Sequence, residues 1–376
     1  MKKLLKESFI LLPIFFIFFL LVDFFVSSFL IKSSKNIYNE KDYGFYELSK
    51  SFKGYELFGS TIYKVFTDKN GFRSSSNLNF NKKFKIIFLG DSATYGMMKW
   101  EESLPGIFQE ISNQDVLNGG IPSYSPSTYL YRYKQALELG LLEKNHIVII
   151  ALDISDVQDE AGHWMSPNYL SLEDVGHPVN MSAFEDSPEI KDKKFNIKNW
   201  VISNLKFSIM IYRIIKFNIV DYDYLEPIFN TSRSAFTWQD FSQLNKLKST
   251  EGDNYTRGYL PLGVEGGLKK IEKKLKEINN IIKSSGGDGV YFFTYPWPAQ
   301  VKYQDNFGWT NYVKSICIEV ECLGVIDIIE DIKQISKADI NWYKSIFLNG
   351  DIHLNSFGNK IAAEKILSIL NLRFSF

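Results

Sequence analysis

The segment Lys85-Ile86-Ile87-Phe88-Leu89-Gly90-Asp91-Ser92 narrows the folds open to this chain more than any other. Four apolar residues, Ile86 to Leu89, make a run of strand length that stops at a glycine. A continuous apolar run bounded by a turn signal predicts a strand buried on both faces, as in a parallel sheet. His146-Ile147-Val148-Ile149-Ile150-Ala151-Leu152 repeats the pattern with β-branched residues, and Val290-Tyr291-Phe292-Phe293 repeats it again. Shorter strands are expected at Val116-Leu117 and Val325-Ile326. Helical signals lie between and after them. Leu268, Ile271, Leu275, Ile278 and Ile282 recur at three and four residues, the stripe of an amphipathic helix covering a sheet. Further helices are expected from Ser103-Leu104-Pro105 to about Ser112, from near Ser127 to about Leu139, over 311–322 and over 357–370. Strand and helix alternate, which implies a parallel sheet with helices on both faces.

Residues 9–31 answer to a different solvent. From Phe9 to Ile31 only Asp23 is charged. At about 1.5 Å per residue this run spans roughly 35 Å as a helix, enough to cross a bilayer. The competing reading is a cleaved signal peptide, whose apolar core is shorter and ends at a small-x-small site. Val26-Ser27-Ser28 is a poor match to such a site, so the run reads as an uncleaved anchor. Asp23 then sits where water or headgroups reach, or marks a partner helix. Lys2, Lys3 and Lys6 precede the run while Lys32, Lys35 and Lys41 follow it, so charge barely sets an orientation. The 43 basic residues balance 43 acidic ones, without the basic surplus of a nucleic-acid binder; no nucleic-acid partner is expected. Cys317 and Cys322 fit a disulfide by number, but fall in a segment read as helix, where that spacing is poor. Free thiols are expected. The His/Cys spacing of a metal site is absent, and neither metal nor cofactor is expected.

Three regions follow: an anchor over 1–35, a lead-in over 36–84 that packs on the main domain, and the main domain over 85–376. Asn70-Gly71 signals a turn in the lead-in, and Ser74-Ser75-Ser76-Asn77 reads as a short linker. Residues 160–265 lose the strand–helix alternation and read as an insertion or cap. Within it Trp200 to Ile219 is apolar with interspersed Lys and Arg, either a packed cap helix or a membrane-surface helix.

Ser92 falls at the carboxyl end of the first buried strand, where open α/β sheets place their ligands. The alternative is an ordinary loop serine. A serine hydroxyl becomes a nucleophile when a base, usually histidine, takes its proton. The chain has four histidines. His146 begins a strand, and His163 and His177 lie in the insertion. His353 sits in Gly350-Asp351-Ile352-His353-Leu354-Asn355-Ser356-Phe357-Gly358, with Asp351 two residues upstream to orient its imidazole.

Phe88-Leu89-Gly90-Asp91-Ser92 resembles the first sequence block of the SGNH/GDSL hydrolases. Asn118-Gly119-Gly120-Ile121-Pro122-Ser123-Tyr124-Ser125-Pro126 looks like their second block, and the Gly350–Gly358 segment like their last. The blocks stand in the family's order. Asn70-Gly71-Phe72-Arg73 and Tyr295-Pro296-Trp297-Pro298-Ala299-Gln300 look like features of bacterial members found among cell-surface polysaccharide genes. The resemblance covers about residues 68–370, interrupted by the insertion. One block departs: where the family has Gly-x-Asn-Asp after the third strand, this chain has Asp153-Ile154-Ser155-Asp156, with Ser155 at the asparagine's place.

The resemblance implies a flavodoxin-like three-layer α/β/α sandwich with a parallel five-stranded sheet of order 2-1-3-4-5, tethered by one N-terminal transmembrane helix. It implies a catalytic set of Ser92, His353 and Asp351, and an oxyanion hole from Ser92, Gly120 and, as an uncertain third donor, Ser155. The expected function is a serine esterase acting on O-acyl groups, with surface glycans as substrate. Two alternatives remain: an O-acyltransferase using the same acyl-enzyme, and a non-catalytic glycan-binding or assembly protein on a hydrolase scaffold. Tyr124, Trp164 and Trp297 are candidate sugar-stacking residues, with core packing as the competing role. The expected location is a single-pass membrane protein held through residues 9–31, its catalytic domain on the periplasmic or extracellular side.

Overall fold

The computed structural model describes residues 2–59, 61–75, 82–181, 204–219, 259–303, 308–339 and 341–374. Most of the insertion, residues 182–203 and 220–258, therefore lies outside the described residues.

The strands are β1 (Tyr38–Glu40), β2 (Tyr46–Leu48), β3 (Lys53–Phe58), β4 (Thr61–Thr67), β5 (Arg73–Ser74), β6 (Phe84–Leu89), β7 (Val116–Asn118), β8 (Leu142–Leu152), β9 (Trp164–Met165), β10 (Val179–Asn180), β11 (Gly289–Thr294) and β12 (Gly324–Asp327). Eight of them form one sheet of order β12-β11-β8-β6-β7-β5-β4-β3. The members β6, β7, β8, β11 and β12 pair in parallel. Counted along the chain, these five run 2-1-3-4-5 across the sheet. The expected five-stranded sheet is nevertheless too small. The lead-in does not merely pack on the domain; it adds β5, β4 and β3 as an antiparallel extension beyond β7. β4 mixes buried and exposed positions and β3 has a single buried residue, so neither has the unbroken apolar run that betrays the parallel strands.

Right-handed crossovers put the helix between β6 and β7 on one face and those between β7, β8, β11 and β12 on the other. The contacts agree. Helix Leu104–Ser112 packs on the last helix, Ser356–Phe374, while helix Gly263–Ser284 packs on Pro126–Glu138 and Trp309–Val320. Buried Glu160 fixes the start of helix Pro126–Glu138, accepting from the Ser127 N–H at 2.6 Å and the Ser127 hydroxyl at 2.7 Å. A carboxylate there satisfies orphan donors and complements the helix dipole.

Cys317 and Cys322 are bonded to each other, contrary to the free thiols expected. The helix ends at Val320, with Glu321 in the left-handed region at φ 55°. Cys322 thus lies past the helix, its N–H returning to Cys317 O at 2.9 Å and its Cα 4.9 Å from that of Cys317.

The N-terminal helix runs Lys2–Lys35 without a break. Among the described residues no helix is long and apolar enough to cross a membrane; the side chains described without interruption in this one are those of residues 13–29. Phe15, Phe18, Phe24 and Phe25 are exposed.

Arg73 joins the two parts of the sheet. Its backbone pairs Thr67 of β4 on one side and Asn118 of β7 on the other. Its buried guanidinium stacks on Tyr95, 4.5 Å from the ring centre, and donates to the carbonyls of Tyr95, Gly96 and Met98. Those carbonyls belong to the loop that leaves Ser92. Arg73→Met keeps the stem and removes three hydrogen bonds from a charged donor, each worth roughly 1.5–3 kcal/mol; Tyr95 O and Gly96 O keep Asn118 Nδ2 and the Met98 N–H as donors. The substitution should lower the thermal midpoint of the full chain in detergent by about 2–4 °C per kcal/mol lost. Differential scanning fluorimetry checks this; an unchanged midpoint would mean water replaces the guanidinium at no cost.

Candidate active site

β6 delivers Ser92 to the carboxyl edge of the sheet. At Gly90 a Cβ would meet Thr94 Oγ1 at 2.1 Å, so only glycine lets the chain fold back so tightly. Asp91 then caps the one-turn helix Ser92–Tyr95, accepting from the Ala93 N–H at 2.8 Å. Ser92 is half-buried. Tyr95, three residues on, donates to Glu56 of β3 at 2.8 Å, so the lead-in braces the Ser92 turn as well as the sheet.

His353 arrives from the other end of the chain, in the loop between helices Trp342–Ile346 and Ser356–Phe374. Leu348 N–H donates to His353 O at 2.7 Å, and Phe347 bridges Leu354. The buried Tyr343 hydroxyl accepts from Asp351 N–H and donates to Asp351 O, both at 2.7 Å. Tyr295, after β11, accepts from Leu354 N–H at 2.5 Å. Phe58, at the tip of β3, meets the imidazole edge-on at 5.2 Å and 88°.

The structure brings three of the sequence-derived residues together. Ser92 Oγ donates to His353 Nε2 at 2.8 Å. His353 Nδ1 donates to Asp351 Oδ1, which also accepts the His353 backbone N–H at 3.1 Å. The bond from Nδ1 to Asp351 fixes the tautomer with Nδ1 protonated and Nε2 free to accept. His146, His163 and His177 lie elsewhere: His146 bonds Tyr133 and Glu143 O, His163 meets Trp164, and His177 stacks on Phe45.

The electrostatics suit proton transfer. Burial pushes the His353 pKa down, but the Asp351 charge and hydrogen bond, helped by Asp91 and Asp153, outweigh it and leave it raised. Burial pushes Asp351 up, yet the His353 cation and hydrogen bonds hold its carboxyl below the usual range. Asp91 goes the other way: burial, then the charge of Asp153, raise it to about 7.

The other expected donors are committed elsewhere. Gly120 N–H donates to Asn118 Oδ1 at 2.9 Å rather than facing the space beside Ser92. Asn118 turns its amide nitrogen to Thr94 O at 3.0 Å, so its oxygen is left toward Gly120. Ser155 Oγ donates to Asp153 Oδ1 at 2.6 Å, and Ser155 N–H to the same oxygen at 2.7 Å. Ser92 N–H opens its helix and has no intrahelical acceptor. The candidate stacking residues are core. Trp164 and Tyr124 are fully buried, with Trp164 Nε1 donating to Ser123 O at 2.7 Å and Tyr124 OH to Tyr46 O. Trp297 is buried too and donates to Asp153 Oδ2 at 3.1 Å. Aromatic character alone does not separate a platform from a core residue; their pocket-facing counterpart is Phe58, a partly buried residue at the end of an edge strand, which carries no signal in the sequence. Phe58, Met97, Asp351, Asn355 and Phe357 line a cavity of about 450 Å³ on the Asp351 side.

No family model matches the chain, and no curated protein matches it. Solved structures of low similarity do. A member of the lipolytic protein G-D-S-L family from Veillonella parvula is 11% identical, covering 76% of this chain and 97% of its own, at a TM-score of 0.39. A lipolytic protein of the same family from Desulfitobacterium hafniense is 12% identical over 77% and 100%, at 0.38. An acetyl xylan esterase from Geobacillus stearothermophilus is 13% identical over 76% and 94%, at 0.37. At these scores the likenesses decide nothing about this chain's chemistry, which rests on the geometry above.

A base must be neutral to accept a proton. Because the His353 pKa is raised, its fraction in the basic form falls as pH drops through a value above the ordinary 6.5 or so. Any activity that uses it should show an acid limb in kcat/KM above about pH 6.5. Asp351→Asn removes the main raising influence, so the limb should move to lower pH as the rate falls. A limb that stays in place would mean another group sets it.

Proposed function

We propose that this protein is a serine esterase of the SGNH/GDSL type. The observation that carries the reading is the unbroken hydrogen-bonded line from Ser92 through His353 to Asp351. A loop serine and a loop histidine with independent structural roles would have no reason to meet. In the proposed reaction Ser92 Oγ attacks an acyl carbonyl while His353 Nε2 takes its proton. Asp351 stabilises the imidazolium and does not itself become protonated. The leaving alcohol takes the proton from His353, and an acyl-Ser92 ester remains. Water, deprotonated by His353, then releases the acid. If a sugar hydroxyl replaces water, the same steps make an O-acyltransferase. O-acyl groups on surface glycans are the proposed substrates, a context taken from the sequence resemblance.

A second reading has a specific observation in its favour. Gly120 N–H and Ser155 Oγ are both engaged away from the nucleophile. Losing one oxyanion donor costs on the order of 10²–10³ in rate, so a non-catalytic glycan-binding protein on this scaffold is the competitor. A fluorophosphonate probe distinguishes them. Wild type should label, Ser92→Ala should not, and His353→Ala should label at least about 10³-fold more slowly. Absence of wild-type labelling, with the fold intact, would favour the binding protein. If labelling occurs, product analysis with and without a sugar acceptor separates hydrolysis from transfer.

We also propose that residues 9–31 anchor the chain in a membrane as a single pass, with the catalytic domain on the periplasmic or extracellular side. Three observations support this: the continuous helix Lys2–Lys35, the exposure of its phenylalanines, and a disulfide that belongs to an oxidising compartment. The mature protein should keep its N-terminus in the membrane fraction. N-terminal sequencing that began near residue 29 would make the run a leader instead.

A further inference from the structure

Asp23 is the one charged residue of the proposed span, and it is fully buried. Its carboxylate does not reach out to headgroups. Within its own helix Oδ1 accepts the Ser27 hydroxyl at 2.6 Å. Oδ2 accepts the Ser208 backbone N–H at 3.2 Å and the Ser208 hydroxyl. Ser27 Oγ in turn accepts the Phe207 N–H at 3.1 Å. These partners are the first turn of the 14-residue helix Lys206–Ile219. The first N–H groups of any helix lack intrahelical acceptors, and in hydrocarbon each unsatisfied one costs several kcal/mol. Asp23 and Ser27 supply acceptors from a neighbouring helix, which water would otherwise do.

The depth of this contact follows from helix geometry. Phe207 also packs on Phe19, ring centres 5.9 Å apart. Asp23 and Phe19 lie about 12 and 18 Å along the helix from the end of the apolar run at Ile31, within a hydrocarbon core about 30 Å thick. From there helix Lys206–Ile219 climbs toward the domain. Arg213, one and a half turns on, donates to Gly59 O at 3.3 Å, at the tip of the β3–β4 hairpin. A long cationic side chain at that position can keep its head at the interface while its stem stays in apolar surroundings. Tyr212 and Ile215 on the same helix are 57% and 50% exposed, and the N-terminal helix it packs on carries exposed phenylalanines as well.

We propose that helix Lys206–Ile219 is a second membrane-embedded element, a re-entrant segment that enters the bilayer beside the anchor and is capped there by Asp23. The occupant of its exposed face is lipid. The inference rests on the anchor reading of residues 9–31. It gives the insertion a purpose, and it ties the bilayer to the hairpin whose Phe58 touches His353 and lines the adjoining cavity.

The test uses the full chain in phospholipid vesicles, without reductant so that the native disulfide is kept. Nitroxide labels are placed singly at Phe25→Cys, Ile215→Cys and, as a water reference, Glu330→Cys. Power-saturation EPR then compares collision with oxygen, which concentrates in lipid, and with a soluble nickel chelate. Phe25 and Ile215 should both show an oxygen-to-nickel ratio several-fold above Glu330. A lipid-like Phe25 with a water-like Ile215 overturns the inference and leaves the anchor standing. An Ile215 label shielded from both agents, as in a protein–protein contact, also overturns it. Water-like values at both sites overturn the anchor itself. The cap is tested separately by disulfide cross-linking of Phe19→Cys with Phe207→Cys. Asp23→Leu should cut the yield several-fold and Asp23→Asn, whose amide oxygen still accepts, should largely restore it. An undiminished yield in Asp23→Leu would overturn the capping role.

Discussion

The hydrogen bond between Ser92 and His353 closes a separation of 261 residues, and most of the architecture is a condition for it. Parallel strands send their following loops to one edge of the sheet. The turn after β6, the Gly120 loop after β7, the Asp153 loop after β8 and the Tyr295 loop after β11 all emerge there. His353 comes from no strand end, so it needs fastening of its own. Tyr295 and Tyr343 supply it through the backbone of Leu354 and Asp351. These bonds are made to the backbone of the His353 loop and not to Ser92, yet a shift in either would move the imidazole by a fraction of an ångström, which matters at hydrogen-bond range. On the serine side Arg73 and Glu56 do the equivalent work.

How far the sequence foretold this depends on what each feature needs from its surroundings. A strand buried on both faces must be apolar throughout, whatever packs against it, so β6, β8 and β11 were plain to read. Glycine before Ser92 and aspartate before His353 report local backbone and side-chain demands, equally readable. The lead-in strands were not, because an edge strand with one wet face looks like any polar, aromatic stretch. The disulfide was misread through a helix end. Two residues' difference in where the helix stops, set by a left-handed Glu321, moves Cys322 from a helical position to a bonding one. Hydrogen-bond commitments of Gly120 and Ser155 were out of reach, since each depends on the rotamer of one neighbour, Asn118 or Asp153. Asp23 is the sharpest case. Its position in the apolar run pointed first to water or headgroups and only secondly to a partner helix, because the partner lies 185 residues away.

The carboxylates beneath the nucleophile set the remaining balance. A serine hydroxyl has one proton to give. Here two acceptors face it, His353 Nε2 at 2.8 Å and Asp91 Oδ2 at 3.1 Å. Ionised Asp91 competes for that proton; protonated Asp91 can instead donate to Oγ and leave the serine's own proton for His353. With its pKa raised to about 7 by burial and the Asp153 charge, Asp91 changes sides within the physiological range. Asp153 lies two residues before Ser155, and its oxygens accept from Ser155 twice and from Trp297 once. Ser155, at the place where the resembled family has an asparagine, therefore spends its hydroxyl on a neighbouring carboxylate. In the proposed reaction the Asp153 charge opposes the build-up of negative charge on a tetrahedral intermediate. It also favours the His353 cation, which offsets that build-up from the hydrogen-bonded side. The two effects act on the same intermediate with opposite sign, and proximity decides between them. His353 is hydrogen-bonded to Ser92 Oγ, whereas the Asp153 carboxylate is bonded to Ser155 and Trp297. The local cation therefore weighs more, and under the proposed mechanism His353 would hold its proton for as long as the oxyanion lasts.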